Sequence, residues 1–130
     1  MNKVKHKTKT RSIIFEGCSS VGGFTEIDAV YDVKGKALIM IGINQKGKTI
    51  STGQKILFDR MVMWCQKPVY AITAWSNQKD NIVLKDCVVK EVRIKSSETG
   101  KPITKTVINK ITVRKVVEEI EKRYGVLKNG

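Results

Sequence analysis

Polarity alternates from Thr25 onward. Glu26, Asp28 and Val30 fall on one face of an extended segment and Ile27, Ala29 and Tyr31 on the other, which predicts a strand over residues 25–32. Lys34-Gly35-Lys36 supplies a hairpin turn. Ala37 to Ile43 is apolar without interruption, the pattern of a strand buried on both faces. Ser51 or Thr52 is a suitable N-cap for a helix over Gln54–Gln66. In that helix Leu57, Met61, Trp64 and Cys65 recur at helical spacing, with Phe58 and Val62 alongside. Pro68 ends it, and Val69–Trp75 reads as the next strand. Ile82–Leu84, Cys87–Ile94 and Ile103–Ile108 read as further strands, the last two joined by the polar turn 96–102. Val113, Val116, Val117, Ile120 and Tyr124 mark a closing amphipathic helix, with Glu118–Lys122 and Glu119–Arg123 as i,i+4 pairs. Upstream, Ser12–Phe15 is a short β-prone run and Gly17–Gly23 a flexible loop. The expected class is α/β, a mixed β-sheet flanked by a central helix and a C-terminal amphipathic helix.

Length and composition narrow the setting. A chain of 130 residues with 41% hydrophobic content fits one domain with its own core, and nothing in it marks a repeat or an internal boundary. No apolar run approaches the roughly 20 residues that span a bilayer, and the start of the chain lacks a signal-type apolar stretch. A cytoplasmic protein with no membrane partner is expected. Cys18, Cys65 and Cys87 are odd in number and widely spaced, and His6 is the single histidine. Three reduced, mostly buried thiols are expected, and no structural zinc.

Charge adds a partner class. The net charge is +13, which favours polyanions because each neutralised phosphate releases condensed counterions. Lys3, Lys5, Lys7, Lys9 and Arg11 precede the first acid, Glu16. Their mutual repulsion predicts that residues 1–11 form a disordered basic arm, or by the alternation of the lysines an edge strand with one lysine face, ahead of a single domain over 12–130. DNA, RNA or a nucleoprotein complex is the expected partner.

The order of elements and a few short motifs then point to a family. Asp28, the apolar strand Ala37–Ile43 and Thr52-Gly53-Gln54 at the helix start resemble the PD-(D/E)XK nuclease superfamily, in particular its small phage-type members. The resemblance covers roughly residues 13–94 and implies a restriction-endonuclease-like fold. It places Asp28 at the family's metal-binding aspartate and Gln54 facing the site. It also places Gly42 at the family's acidic position and Asn44 at its lysine.

That departure bears directly on chemistry. Phosphodiester hydrolysis of this type needs Mg²⁺ held by carboxylates and a group that orients the attacking water. Gly42 supplies no ligand and Asn44 no charge, and residues 33–58 contain no Asp or Glu, so a shift of register restores nothing. Two rescues are open. Lys46 takes the lysine role while Asn44 lends a neutral oxygen, or Glu26 or Glu16 completes a metal site with Asp28. Against the second stands the plain reading of Glu26 as a solvated strand position. The residues expected to meet nucleic acid are the arm cations with Lys46, Lys48, Gln54 and Lys55.

Other chemistries are excluded or left undecided by residue type. Histidine-assisted nucleophilic catalysis lacks a base, since His6 lies in the arm. No GxxxxGK[ST] loop follows a strand, which removes P-loop NTPases. Trp64 and Trp75 read more readily as core or rim packing than as base-stacking platforms. The expected function is nucleic-acid binding by a nuclease-like protein that has lost cleavage, with Mg²⁺ at most weakly held. Two alternatives stand beside it. One is a phage-encoded inhibitor of a host nucleic-acid defence enzyme, for example an anti-CRISPR protein. The other is an active Mg²⁺-dependent nuclease with a rearranged site.

Overall fold

The computed structural model describes residue 20 and residues 25–45, 47, 51–78 and 80–127. Five strands form one sheet in the order β1-β2-β3-β4-β5. These are β1 (Ala29–Val33), β2 (Ala37–Gln45), β3 (Val69–Ser76), β4 (Val88–Lys95) and β5 (Pro102–Thr106). Helix α1 (Thr52–Trp64) links β2 to β3, and α2 (Val113–Arg123) closes the fold. β1 and β2 pair antiparallel around the Lys34–Lys36 turn, where Lys34 and Gly35 both adopt positive φ. The connection through α1 makes β2 and β3 parallel, as a helical crossover between neighbouring strands does. β4 and β5 then add antiparallel. The fold is α/β, with a mixed sheet and two α-helices among the described residues.

Side-chain alternation along β2 builds two cores. Ala37, Ile39 and Ile41 face α2, packing with Tyr70, Ile72, Ala74, Val89, Val113 and Ile120. Met40 faces the other way, onto Phe58 and Val62 of α1 with Val69 and Ala71. The uninterrupted apolar run of β2 thus follows from burial on both faces. Phe58, fully buried, is the largest side chain in the α1 core, and truncating it to Ala would cost about 3–5 kcal/mol.

Several expectations are corrected. Residues 82–84 form no strand: Ile82 and Val83 are exposed, and a 3-10 turn runs Leu84–Asp86. Three apolar residues in a row do not make a strand without a ladder partner. β5 ends at Thr106, leaving Ile108 96% exposed. Helix α1 starts and stops two residues earlier than expected, with Ser51 as its N-cap. Trp64 is 69% exposed and carries Arg60 5.9 Å from its ring centroid, while Phe58 and Val62 make the core. On α2 the i,i+4 ion pairs are Arg114–Glu118 and Lys115–Glu119, with Lys122 reaching back to Glu119. Of the cysteines, Cys87 is buried and Cys65 half-buried, both as free thiols, and Cys18 lies outside the described residues. Burial pushes the Cys87 thiol up, with Asp86 adding to the shift.

Candidate functional site

The α1 face of the sheet carries a polar row. Ala29 pairs with Ile41, so Asp28, just ahead of β1, continues the register opposite Gly42. Gly42 pairs with Thr73, Thr73 with Glu91, and Glu91 with Thr106. Asp28 is fixed twice: its backbone N–H donates to Ile41 O at 3.1 Å, and its Oδ2 accepts from the Ile43 N–H at 2.6 Å. The acid is therefore tied to β2, beside the position where the resemblance expects a second acid.

That position is filled from the helix. Ser51 Oγ accepts from Gln54 N at 3.2 Å, which sets the first turn of α1 over β2. Gln54 is 8% exposed, and its Nε2 donates to Glu26 O at 3.1 Å. A Cβ built on Gly42 would meet the Gln54 carboxamide at 2.6 Å. A side chain at position 42 would have to displace the amide, which lies directly on the strand. Thr25, Glu26, Asp28, Asn44, Ser51 and Gln54 line a cleft of ≈ 450 Å³ above it.

Among the described residues, the donor set of the cleft does not fit a hydrolytic Mg²⁺ site. Two carboxylate residues, Glu26 and Asp28, line it, and one Asp28 oxygen already holds a backbone N–H. Among the described residues no three His, Cys, Asp or Glu side chains gather where they could hold a metal. A neutral amide, a weaker ligand for a hard cation, lies over Gly42, where the resemblance expects a second acid. Glu91 offers no substitute, because three strand spacings put its Cα about 14 Å from that of Asp28.

Glu91 belongs to a cluster that sequence reasoning missed. Arg93, 5% exposed, donates from Nη1 to Asp59 of α1 and from Nη2 to Glu91, each at 3.0 Å. This ties α1 to β4. Arg93 Nε and the buried Thr73 Oγ1 have no partner among the described residues. The signal was present in Val88–Lys95, where Glu91, Arg93 and Lys95 alternate with Val92 and Ile94. A sheet face buried by α1 forces such charges to pair.

The predicted site residues divide three ways. Asp28, Glu26 and Gln54 come together in one cleft. Gln54, expected as a nucleic-acid contact, is instead mostly buried, because its amide fills the space over Gly42. Lys55 is exposed on the adjoining turn of α1. Glu16, Lys46, Lys48 and the cations Lys3, Lys5, Lys7, Lys9 and Arg11 lie outside the described residues. Among the described residues, no helix is long and apolar enough to cross a membrane. Comparison with protein-family models, curated proteins and solved structures finds no match to this chain.

Proposed function

We propose that the chain is a nucleic-acid-binding protein on a restriction-endonuclease-like fold, of the PD-(D/E)XK type, that has exchanged its metal site for an amide-filled cleft and does not cleave. The observation that carries this reading is the Gln54 carboxamide seated on Gly42 beside Asp28. The order of hairpin, crossover helix and parallel strand supports the fold assignment. With a net charge of +13, the protein engages DNA or RNA chiefly through phosphate contacts, in the cytoplasm of a phage host. Lys55 marks the cleft side of that surface, with Lys46 and Lys48 close to it in sequence. A nuclease assay with Mg²⁺ and Mn²⁺ on single- and double-stranded DNA and RNA, read beside a salt-dependent binding titration, tests it. Binding without cleavage supports the reading. Metal-dependent cutting abolished by Asp28→Ala favours a rearranged active nuclease.

One feature favours a second reading, inhibition of a host nucleic-acid defence enzyme. Ile56, Arg60, Met63 and Trp64 recur at i, i+4, i+7 and i+8 on the outer face of α1, and all are exposed. Trp, Arg and Met are the residues that dominate protein-protein contacts. On this reading wild-type protein binds free nucleic acid weakly and a purified defence complex tightly, and Trp64→Ala removes the latter.

A further inference from the structure

A cavity of ≈ 470 Å³ lies at the C-terminal end of β3, outside the Asp28 cleft. That volume is in the range of ligand sites. Trp75, Val88 and Val89 of the β3–β4 ladder form its walls, and Cys87 contributes a buried thiol. Its rim carries Asn77, Asn109 and Lys110. The β3–β4 register shifts between Thr73 and Ala74, which pair with Glu91 and Val89 and leave Lys90 as the extra residue. Such a bulge re-aims its side chain: the Lys90 ammonium lies 5.1 Å from the Trp75 ring centroid. Trp75 Nε1 is buried with no partner among the described residues. Ile108, also lining the cavity, leaves its apolar side chain almost wholly in solvent.

Trp75 is the Cα partner of Asn44, which lines the Asp28 cleft. The two hollows are thus one strand apart on the same end of the sheet. We infer that this cavity receives one unstacked nucleobase of a strand crossing the cleft, so the protein prefers single-stranded nucleic acid to blunt duplex. The inference rests on the nucleic-acid reading above. Apolar walls, an indole and carboxamides at the rim suit a flat, neutral ring with a hydrogen-bonding edge. Asp86, the one acid in the lining among the described residues, disfavours a phosphate inside. Lys90 and Lys110 supply cations for the phosphates that stay outside. A base held in duplex stacking must first be unpaired to enter, which gives the preference its direction.

The test uses the full chain with a 12-nucleotide single strand, the same strand with one central abasic position, and its blunt duplex. The chain has two tryptophans, so Trp64→Phe leaves Trp75 as the sole tryptophan, read with excitation selective for indole. The expected result is at least tenfold tighter binding of single strand than of duplex, with Trp75 emission quenched by single strand alone. Trp75→Ala should collapse that ratio toward one. Should that variant fail to fold, Ile108→Glu, at an exposed position, should lower the same ratio, which a uniform charge effect leaves unchanged. Equal affinity for strand and duplex with silent Trp75 emission overturns the inference and leaves nucleic-acid binding standing. No binding to any of the three at low salt overturns both.

Discussion

The Gln54 carboxamide rests on the Cα of Gly42, so closely that a methyl group at position 42 would lie 2.6 Å from its Oε1 and 2.7 Å from its Nε2. Helix and strand therefore share one volume, and either side chain excludes the other. Gly42→Ala should cost about 1–3 kcal/mol by displacing the amide. Gln54→Ala should be destabilising on its own, because it removes the bond to Glu26 O. Since the overlap exists only when both side chains are present, the double variant should be more stable than the summed losses, by about 0.5–3 kcal/mol. Urea denaturation of the four proteins measures this. Strict additivity would mean that the amide moves aside freely.

The same close approach governs any attempt to rebuild a metal site. Gly42→Glu with Asn44→Lys restores the acid and the lysine that the resemblance places there, yet the new carboxylate would enter the volume of Gln54. The wild-type chain is expected to give no cleavage above an Asp28→Ala control in Mg²⁺ or Mn²⁺. The triple variant with Gln54→Ala is expected to bind Mn²⁺ more tightly than the double variant, by isothermal titration. Equal Mn²⁺ binding by both would remove Gln54 as the obstacle.

Arg93 is nearly enclosed between Asp59 and Glu91, whose side chains are 40% and 16% exposed. Removing the guanidinium leaves Glu91 largely buried and unpaired, and Arg93→Ala should destabilise by about 3–5 kcal/mol. Asp59→Asn should cost far less, since solvent screens the more exposed partner. Thermal melts of the two variants rank them, and an Asp59→Asn loss as large as that of Arg93→Ala would make the α1 ion pair the dominant one.

The alternation over Ala29–Val33, the doubly buried β2 and the apolar positions of α2 were legible because burial leaves its period in the sequence. The strand begins at Ala29 rather than at residue 25, however, and Ile27 packs with the α1 core instead of with Ala29 and Tyr31. Element ends were not: Ile82, Val83 and Ile108 are apolar residues that no ladder or helix covers. Asp28, Glu26 and Gln54 were legible as neighbours, because a strand end and a helix start bring them to one cleft. The burial of Gln54 was not legible, because a glutamine filling the space above a glycine depends on the distance between helix and strand. Lys90 beside Trp75 was hidden for a similar reason, since the bulge that turns it is a property of two paired strands.

Alkaline pH probes the α2 side of the sheet. The Tyr124 hydroxyl lies 2.8 Å from that of Tyr70, and burial together with this bond pushes its pKa up to about 12. The bond that Tyr31 donates to Glu121 raises its pKa as well. A folded pKa above the unfolded value stabilises fully below about pH 10, and this contribution is lost as pH rises towards about 12. Stability should therefore fall across roughly pH 10–12, less steeply in Tyr124→Phe. Denaturation midpoints at stepped pH check the slope, and an identical slope in the variant would assign the loss to other groups.

The charge of the chain is unevenly placed. Five of the 25 Lys and Arg residues, and none of the 12 acids, precede residue 12. If the arm binds phosphates, deleting residues 1–11 removes counterion release and leaves every described core residue in place. Affinity for duplex or single strand should drop, and the slope of log affinity against log salt should flatten by about 0.9 for every duplex phosphate the arm had neutralised. A flattening of about four to five would engage every arm cation, and one near a single unit would leave the work to Lys46, Lys48 and Lys55. Anisotropy titrations from low to moderate salt give both slopes. An unchanged affinity and slope would show that the arm takes no part, and would move the binding surface onto the folded domain.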